Sequence, residues 1–243
     1  MNKNGMVPLE RALSKLGLAS RTQARVLILG RKVEIDGRII LDPLYLVRPE
    51  SVQIKIRGKD AEPPVKKALL YYKPRGVVTT RSDEKGRMTI YTNLPGEYQG
   101  LHAAGRLDMA TSGLLVLTNS TKFSSWLTDP ANEIPRVYAV TVRGKMEEET
   151  VEAMRDGIMD SGELLKADEV ILRKSSNRES HLIITLCEGK NREIRRLCKL
   201  SGHEVARLKR ISFGNLELGA LQPGEFRELP EDEIKKIFPS APF

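Results

Sequence analysis

The sequence predicts an α+β protein in two parts: a small N-terminal unit over residues 1–60 and a larger mixed unit over residues 68–243, with a linker at 61–67. Three observations carry this expectation. The first sixty residues read as two short amphipathic helices followed by strand-like segments. The stretch GKDAEPPVKK, Gly58 to Lys67, holds charge, two prolines and no apolar period, as a linker does. From Ala68 onward, strand-like and helix-like segments mix irregularly, without the regular alternation of a βαβ wind and without an internal repeat. At 243 residues and 40% hydrophobic composition, the chain is long enough for a small domain plus a larger one, each with a core.

Within the first unit, Pro8 opens a helical pattern with Leu9, Ala12, Leu13 and Leu16 on one face, and Gly17 closes it. Ser20 caps a second helix, with Gln23 three residues on as in a capping box, Val26 and Leu29 on its apolar face, and Gly30 as its stop. Val33–Ile35, an Asp36-Gly37 turn and Arg38–Ile40 then spell a hairpin, and Val52, Ile54 and Ile56 alternate as a last strand. Arg21, Arg25, Arg31, Lys32 and Arg38 fall along the same segment. Two small helices, hairpin strands and the basic SRTQAR and GRKVEIDGR segments resemble the alpha-L RNA-binding motif. That resemblance implies that Arg21 and Arg25 meet RNA phosphates, which position RNA without reading its sequence.

In the second unit, strands are expected at Ala68–Tyr72, Val137–Val142 and His181–Leu186, and helices around Ser124–Leu127, Glu148–Asp156 and Arg192–Leu200. The net charge of +8 favours a polyanionic partner. Two cysteines and three scattered histidines argue against a disulfide scaffold and against a metal site. The N-terminal MNKNGMVPLE lacks the apolar core of a signal peptide, and no apolar run reaches membrane-spanning length, so a soluble cytoplasmic protein is expected. No Gly-rich phosphate loop, GxGxxG, HExxH or GxSxG is present, which leaves nucleotide hydrolases, methyltransferases and the common hydrolases without support.

Four segments carry the chemistry. GRLDMATSGLLVLTNS, Gly105 to Ser120, sets Asp108 beside Arg106 on a tight loop and then enters an apolar strand at Leu114–Leu117. YYKPRGVV places Lys73 and Pro74 at a strand-to-turn boundary. RVYAV puts Tyr138 on an alternating strand. EGKNREIRRL leads into a helix on which Arg192, Arg195, Arg196 and Lys199 make a basic stripe beside Ile194, Leu197 and Cys198. A second basic cluster, Arg207, Lys209 and Arg210, lies on the strand-like VARLKRISFG and is expected to extend a phosphate track. Taken singly, each is ordinary: an ion-paired acid, a turn, a half-buried tyrosine, a solvated helix face.

Taken together, in their order along the chain, the four resemble the motifs of the ribosomal RNA pseudouridine synthases, over nearly the whole chain. Glu193 stands where Gln is usual and Leu197 where Met is common. The resemblance implies a catalytic domain on a long mixed, largely antiparallel sheet with flanking helices and a cleft across its middle. It implies that a uridine in ribosomal RNA, with a weak lean to the large-subunit RNA, is extruded and isomerised to pseudouridine, with Asp108 as the catalytic carboxylate. Arg195 is implied as the partner that keeps Asp108 ionised, Tyr138 as the base-contacting residue, and Leu197 as pocket wall. Lys73, Arg106, Arg192, Arg196 and Lys199 are the further substrate-binding candidates. The isomerisation needs no redox or nucleotide cofactor. The implied partner is ribosomal RNA or a pre-ribosomal particle, met by a monomer away from any membrane. Two other functions stay open at this level. One is a non-catalytic RNA-binding assembly factor, which would have lost Asp108 or its arginine. The other is a glycosidase, which would need a second carboxylate such as Asp129 or Glu188.

Overall fold

A computed structural model describes residues 5–62 and 64–243, and they form two compact units. One runs up to Lys66 and takes in Asn119–Lys122; the other comprises Lys67–Thr118 and Phe123–Phe243.

The N-terminal unit begins with β1 (Val7–Pro8), α1 (Leu9–Lys15) and α2 (Arg21–Leu29). The Ser20 hydroxyl accepts from the Gln23 N–H at 3.3 Å while the Gln23 side chain accepts from the Ser20 N–H at 3.0 Å, the reciprocal cap that the sequence predicts. The strands β2 (Val33–Ile35), β3 (Arg38–Ile39), β4 (Leu46–Val47), β5 (Ile54–Ile56) and β6 (Lys59–Asp60) follow. β2 and β3 meet across Asp36-Gly37, both at positive φ, as a two-residue hairpin requires. Leu9, Leu13, Ala24, Ile28, Val33 and Ile54 build the core. The apolar face of α2 is thus Ala24 and Ile28. Val26 and Leu29, expected inside, are 67% and 60% exposed, because the buried stripe runs through Ala24 and Ile28, four apart on another face of the helix. β6 lies inside the stretch whose composition reads as linker, paired to β5.

The larger unit carries β7 (Ala68–Lys73), β8 (His102–Ala103), β9 (Ser112–Thr118), α3 (Thr121–Thr128), β10 (Arg136–Arg143) and α4 (Glu148–Asp156). Next come β11 (Ile158–Asp160), β12 (Glu163–Leu165), β13 (Glu169–Ser175), β14 (Glu179–Leu186) and α5 (Glu193–Leu200). The chain closes with β15 (Val205–Phe213), β16 (Leu216–Glu217), β17 (Phe226–Glu228) and α6 (Glu231–Ile237). A nine-stranded sheet runs β13-β14-β10-β15-β9-β7-β17, with β16 beside β15 and β8 beside β9. All its ladders are antiparallel except β15–β9. The unbroken apolar run Leu114–Leu117 is explained by burial on both faces. Leu115 and Leu117 join a core with Val151, Met154, Ile194 and Leu197, whereas Leu114 and Val116 join a second core with Phe123, Leu127 and Ile234.

The parallel ladder is short: Ser112 pairs with Lys209 and Gly113 with Arg210. Gly113 has φ +109, and a Cβ built there would lie 2.1 Å from the Arg210 carbonyl oxygen. Two backbones meet where only glycine fits, and the strands diverge beyond that point. Gly113→Ala is expected to lower stability by about 3 kcal/mol or more, since positive-φ strain and a main-chain clash coincide. Urea unfolding measures this, and a loss under about 0.5 kcal/mol, the scale of an ordinary surface change, would contradict the junction described.

Candidate active site

Beside this junction lies a cleft of about 520 Å³, within the ~300–1,000 Å³ span of small-ligand sites. Asp108, Tyr138, Ile194, Leu208 and Phe213 are among its lining residues.

Asp108 sits on the loop between β8 and β9, and the carbonyls of that loop are tied one after another. Thr79 Oγ1 donates to Leu107 O at 2.8 Å. Lys73 Nζ donates to Asp108 O at 3.1 Å and to Thr111 O at 2.7 Å. The Gly76 N–H donates to Met109 O at 2.7 Å, and Arg195 Nη2 donates to Ala110 O at 3.1 Å. The Thr111 N–H closes the turn on Asp108 O at 2.9 Å. Five consecutive carbonyls are therefore met by three separate segments and by the loop itself, while the Asp108 side chain stays 38% exposed toward the cleft.

Lys73, a substrate-binding candidate from sequence, is fully buried and is not among the residues lining the cleft. Its ammonium also takes Pro74 O at 3.0 Å, and burial lowers it to about 8, with the Asp108 charge opposing the fall. The Lys-Pro-x-Gly segment is thus a brace for the aspartate loop. Gly76, at φ +87, aims its N–H at Met109 O.

Arg195, expected to pair with Asp108, holds the loop's backbone instead. Besides Ala110 O, its guanidinium reaches Val205 O at 3.4 Å and Thr111 Oγ1 at 3.5 Å. Burial lowers its pKa, and the neighbouring Arg192 lowers it further. The cation nearest the carboxylate is Arg192, with Nη1 at 3.4 Å from Oδ2. Arg192 is not in α5 but at its N-cap in the left-handed region, φ +50, which breaks the expected stripe and turns its side chain to the loop. With 52% and 38% exposure and a long separation, this pair contributes about 0–1 kcal/mol and can rearrange when substrate enters.

Arg196 is also withdrawn from the stripe: it pairs with Asp160 at 2.6 Å and Glu163 at 2.7 Å on the β11–β12 hairpin. Leu197, expected in the pocket wall, is fully buried in the core, and Ile194 and Leu208 take that place. Lys199 is exposed on α5 away from the cleft lining, and Arg106 is exposed at the cleft. In the N-terminal unit Arg21 is exposed and Arg25 pairs with Glu10 at 2.9 Å. Tyr138 is 9% exposed and lines the cleft from β10, opposite Ile184 on β14 and Arg210 on β15.

Three buried charged residues of the lining were not singled out from sequence as cleft residues. Arg136 is 7% exposed and donates to Cys187 O at 2.7 Å and Leu127 O at 3.2 Å. Arg210, expected on a phosphate track, is 3% exposed: it shares its strand face with buried Leu208, a period-2 signal that the flanking charges obscured. Glu193 is 3% exposed, and its Oε2 accepts from the Lys190 N–H at 3.0 Å. Burial pushes its carboxyl up to about 7, with Glu188 adding to the rise. Among the described residues no group of three or more His, Cys, Asp or Glu is arranged to hold a metal, and no helix is long and apolar enough to cross a membrane.

Comparison with known proteins places this geometry. Residues 67–200 match the RNA pseudouridylate synthase family and residues 7–52 the S4 domain. The chain is 35% identical to ribosomal large subunit pseudouridine synthase B of Bacillus subtilis (strain 168), over 96% of both chains. It is 34% identical to the Pseudomonas aeruginosa protein of the same name, over 93% of this chain and 60% of that one. A solved pseudouridylate synthase superposes with a TM-score of 0.66 at 29% identity, covering 95% of this chain and 99% of the other.

Glu193 provides a pH test of the cleft. Unfolded, its carboxyl titrates near the ordinary 4.5; folded, near 7. Between these values the folded state binds the extra proton, so this group's contribution to stability falls as pH rises from 4.5 to 7 and stays low above that. Glu193→Gln is expected to gain on the wild type by about 2 kcal/mol over that interval in denaturant unfolding. A difference independent of pH would contradict the buried carboxyl.

Proposed function

The chain belongs to the RNA pseudouridylate synthase family, with an S4 domain preceding the synthase domain, and from that premise we propose that it isomerises a uridine of large-subunit ribosomal RNA, with Asp108 as the catalytic carboxylate. The observation that carries this reading is the presentation of Asp108: a fixed backbone, a part-exposed carboxylate met by Arg192, and a cleft shared with Tyr138. The ribosomal substrate rests on the names of the two relatives, both large-subunit enzymes.

In the reaction the bond from ribose C1′ to base N1 breaks, the base turns, and C1′ rejoins at C5. A base stacked in a duplex cannot turn, so the target nucleotide leaves its stack and enters the cleft. There the Tyr138 ring offers a face to the uracil, and Asp108 reaches the sugar edge. Arg192 pairs with the carboxylate until the substrate arrives, and Arg106 meets the flanking phosphates at the cleft mouth. Lys73 and Arg195 act through the loop: they keep Asp108 in place. The exposed cations of the S4 domain, Arg21, Arg31 and Lys32, supply phosphate contacts that hold the RNA while the base is out.

Asp108→Asn keeps shape and removes charge, so pseudouridine formation should fall by at least about 1,000-fold, near 4 kcal/mol of barrier, while RNA affinity stays within a few-fold. Nucleoside analysis of RNA after single turnover reads this, and turnover within about tenfold of wild type would overturn the role of Asp108. Mapping pseudouridine in large-subunit RNA from cells lacking the protein tests the substrate. Replacing Arg21, Arg31 and Lys32 together by Gln should lower the slope of log affinity against log salt by about 2 to 3, at 0.7–0.9 per phosphate contact. An unchanged slope would make the basic face of that domain a structural feature.

A further inference from the structure

Arg210 is a buried cation with an unused donor. It is 3% exposed, its Nε donates to Leu114 O at 2.7 Å, and its guanidinium carbon lies 4.8 Å from the centre of the Phe213 ring. Nη2 is buried and meets no hydrogen-bond acceptor among the described residues, although the side chain lines the cleft. A buried donor left unpaired is costly in the free protein, and its persistence points to a ligand atom that completes it. Arg136 lies on the same aromatic ring, 5.1 Å from its centre, with its own hydrogen bonds already made to Cys187 O and Leu127 O. Neither guanidinium has a carboxylate within ion-pair distance among the described residues. This part of the cleft therefore holds two guanidinium groups beside one ring, and Arg210 keeps N–H groups that no acceptor meets.

Resting on the function proposed above, we propose that Arg210 holds a carbonyl oxygen of the target uracil and takes up the charge that the base carries while it is detached from the ribose. Three observations favour the base over an RNA phosphate. Arg210 and Tyr138 are cross-strand partners, so both side chains stand on one face of the sheet, ring beside guanidinium. Arg210 is nearly inaccessible, whereas Arg192, beside Asp108, is 52% exposed where a phosphate backbone can pass. Its Nε is spent on Leu114 O and its guanidinium lies near the Phe213 ring, which leaves its Nη donors held in place for a planar carbonyl.

The chemistry requires such a group. When C1′–N1 breaks, its electron pair leaves with the base, and the negative charge spreads over N1, O2 and O4. When C1′ rejoins at C5, a pair from the base forms the carbon–carbon bond. C5 then releases its proton to solvent and N1 takes one from solvent, so product and substrate remain isomers. A donor preorganised at O2 or O4 in a water-poor cleft stabilises the detached base more than the neutral one, which lowers the barrier.

The test pairs protein variants with substrate atoms. RNA carrying uridine, 2-thiouridine or 4-thiouridine at the target position is treated with wild type, Arg210→Met and Arg210→Lys in single turnover at saturating enzyme, alongside RNA affinity and its salt dependence. Arg210→Met should slow the uridine reaction by about 10- to 100-fold, the range of one charged hydrogen bond, with affinity changed less than about threefold and an unchanged salt slope. Sulfur at one of the two carbonyls should slow the wild type and leave Arg210→Met unaffected, because the contact is already gone. Equal slowing of both proteins, or no slowing of the wild type by either sulfur, would overturn the contact. So would a salt slope reduced by about 0.7–0.9 with a normal saturated rate, which identifies a phosphate contact. If Arg210→Met fails to fold, the same comparison with Arg210→Lys decides. A wild type that binds the uridine RNA but forms no product refutes the function, and the affinities for the three RNAs still read the Arg210 contact.

Discussion

The structure of the cleft depends on one arrangement: the carbonyls of Leu107 to Thr111 are all bound, and the ties come from separate parts of the larger unit. Lys73 enters from β7, Gly76 and Thr79 from the segment after it, and Arg195 from α5. Each hydrogen bond contributes only about 1 kcal/mol net. Removing a partner costs more, because Lys73 is a buried ammonium whose three partners are these carbonyls and Pro74 O. The loop is thereby over-determined, and its carboxylate faces the cleft with only the long, part-exposed contact to Arg192.

Burial divides the basic residues of this unit into two populations with different work. Lys73, Arg136 and Arg210 are buried and donate to backbone carbonyls, Arg210 with Nη2 left over, so they fix strands and loops around the cleft. Arg106, Arg192 and Lys199 are exposed, screened by salt, and worth little to folding, which leaves them available to a polyanion. Arg196 belongs to neither, being tied to two acids on the β11–β12 hairpin. A net charge of +8 thus overstates the surface offered to RNA, because part of it is internal architecture.

The sequence was most legible where a local pattern dictates a local structure. The Ser20 capping box, the Asp36-Gly37 hairpin and helix α4 stand where periodicity and turn chemistry place them. Asp108 and Tyr138 could be marked by family motif, and they line one cleft. Side-chain direction was illegible wherever it depends on a single backbone torsion or on a distant acid. The left-handed φ of Arg192 displaces it from the helix that spacing gives it, and Asp160 and Glu163 claim Arg196 from 36 and 33 residues away in the chain. The buried place of Arg210 was written in its alternation with Leu208, yet Arg207 and Lys209 on either side made the strand look like a solvated basic edge.

A crystal structure of the chain with RNA carrying 5-fluorouridine at the target position, where fluorine replaces the C5 hydrogen that must be lost, measures most directly whether the loop is prebuilt for its substrate. The expected result is a loop from Leu107 to Thr111 unmoved, with Lys73 and Arg195 still on their carbonyls, the ring against Tyr138, and an Asp108 oxygen within about 3.5 Å of the ribose carbon or ring atom it attacks. A loop that has released Lys73 or Arg195 to receive the nucleotide, or a base lodged outside the cleft, would contradict it.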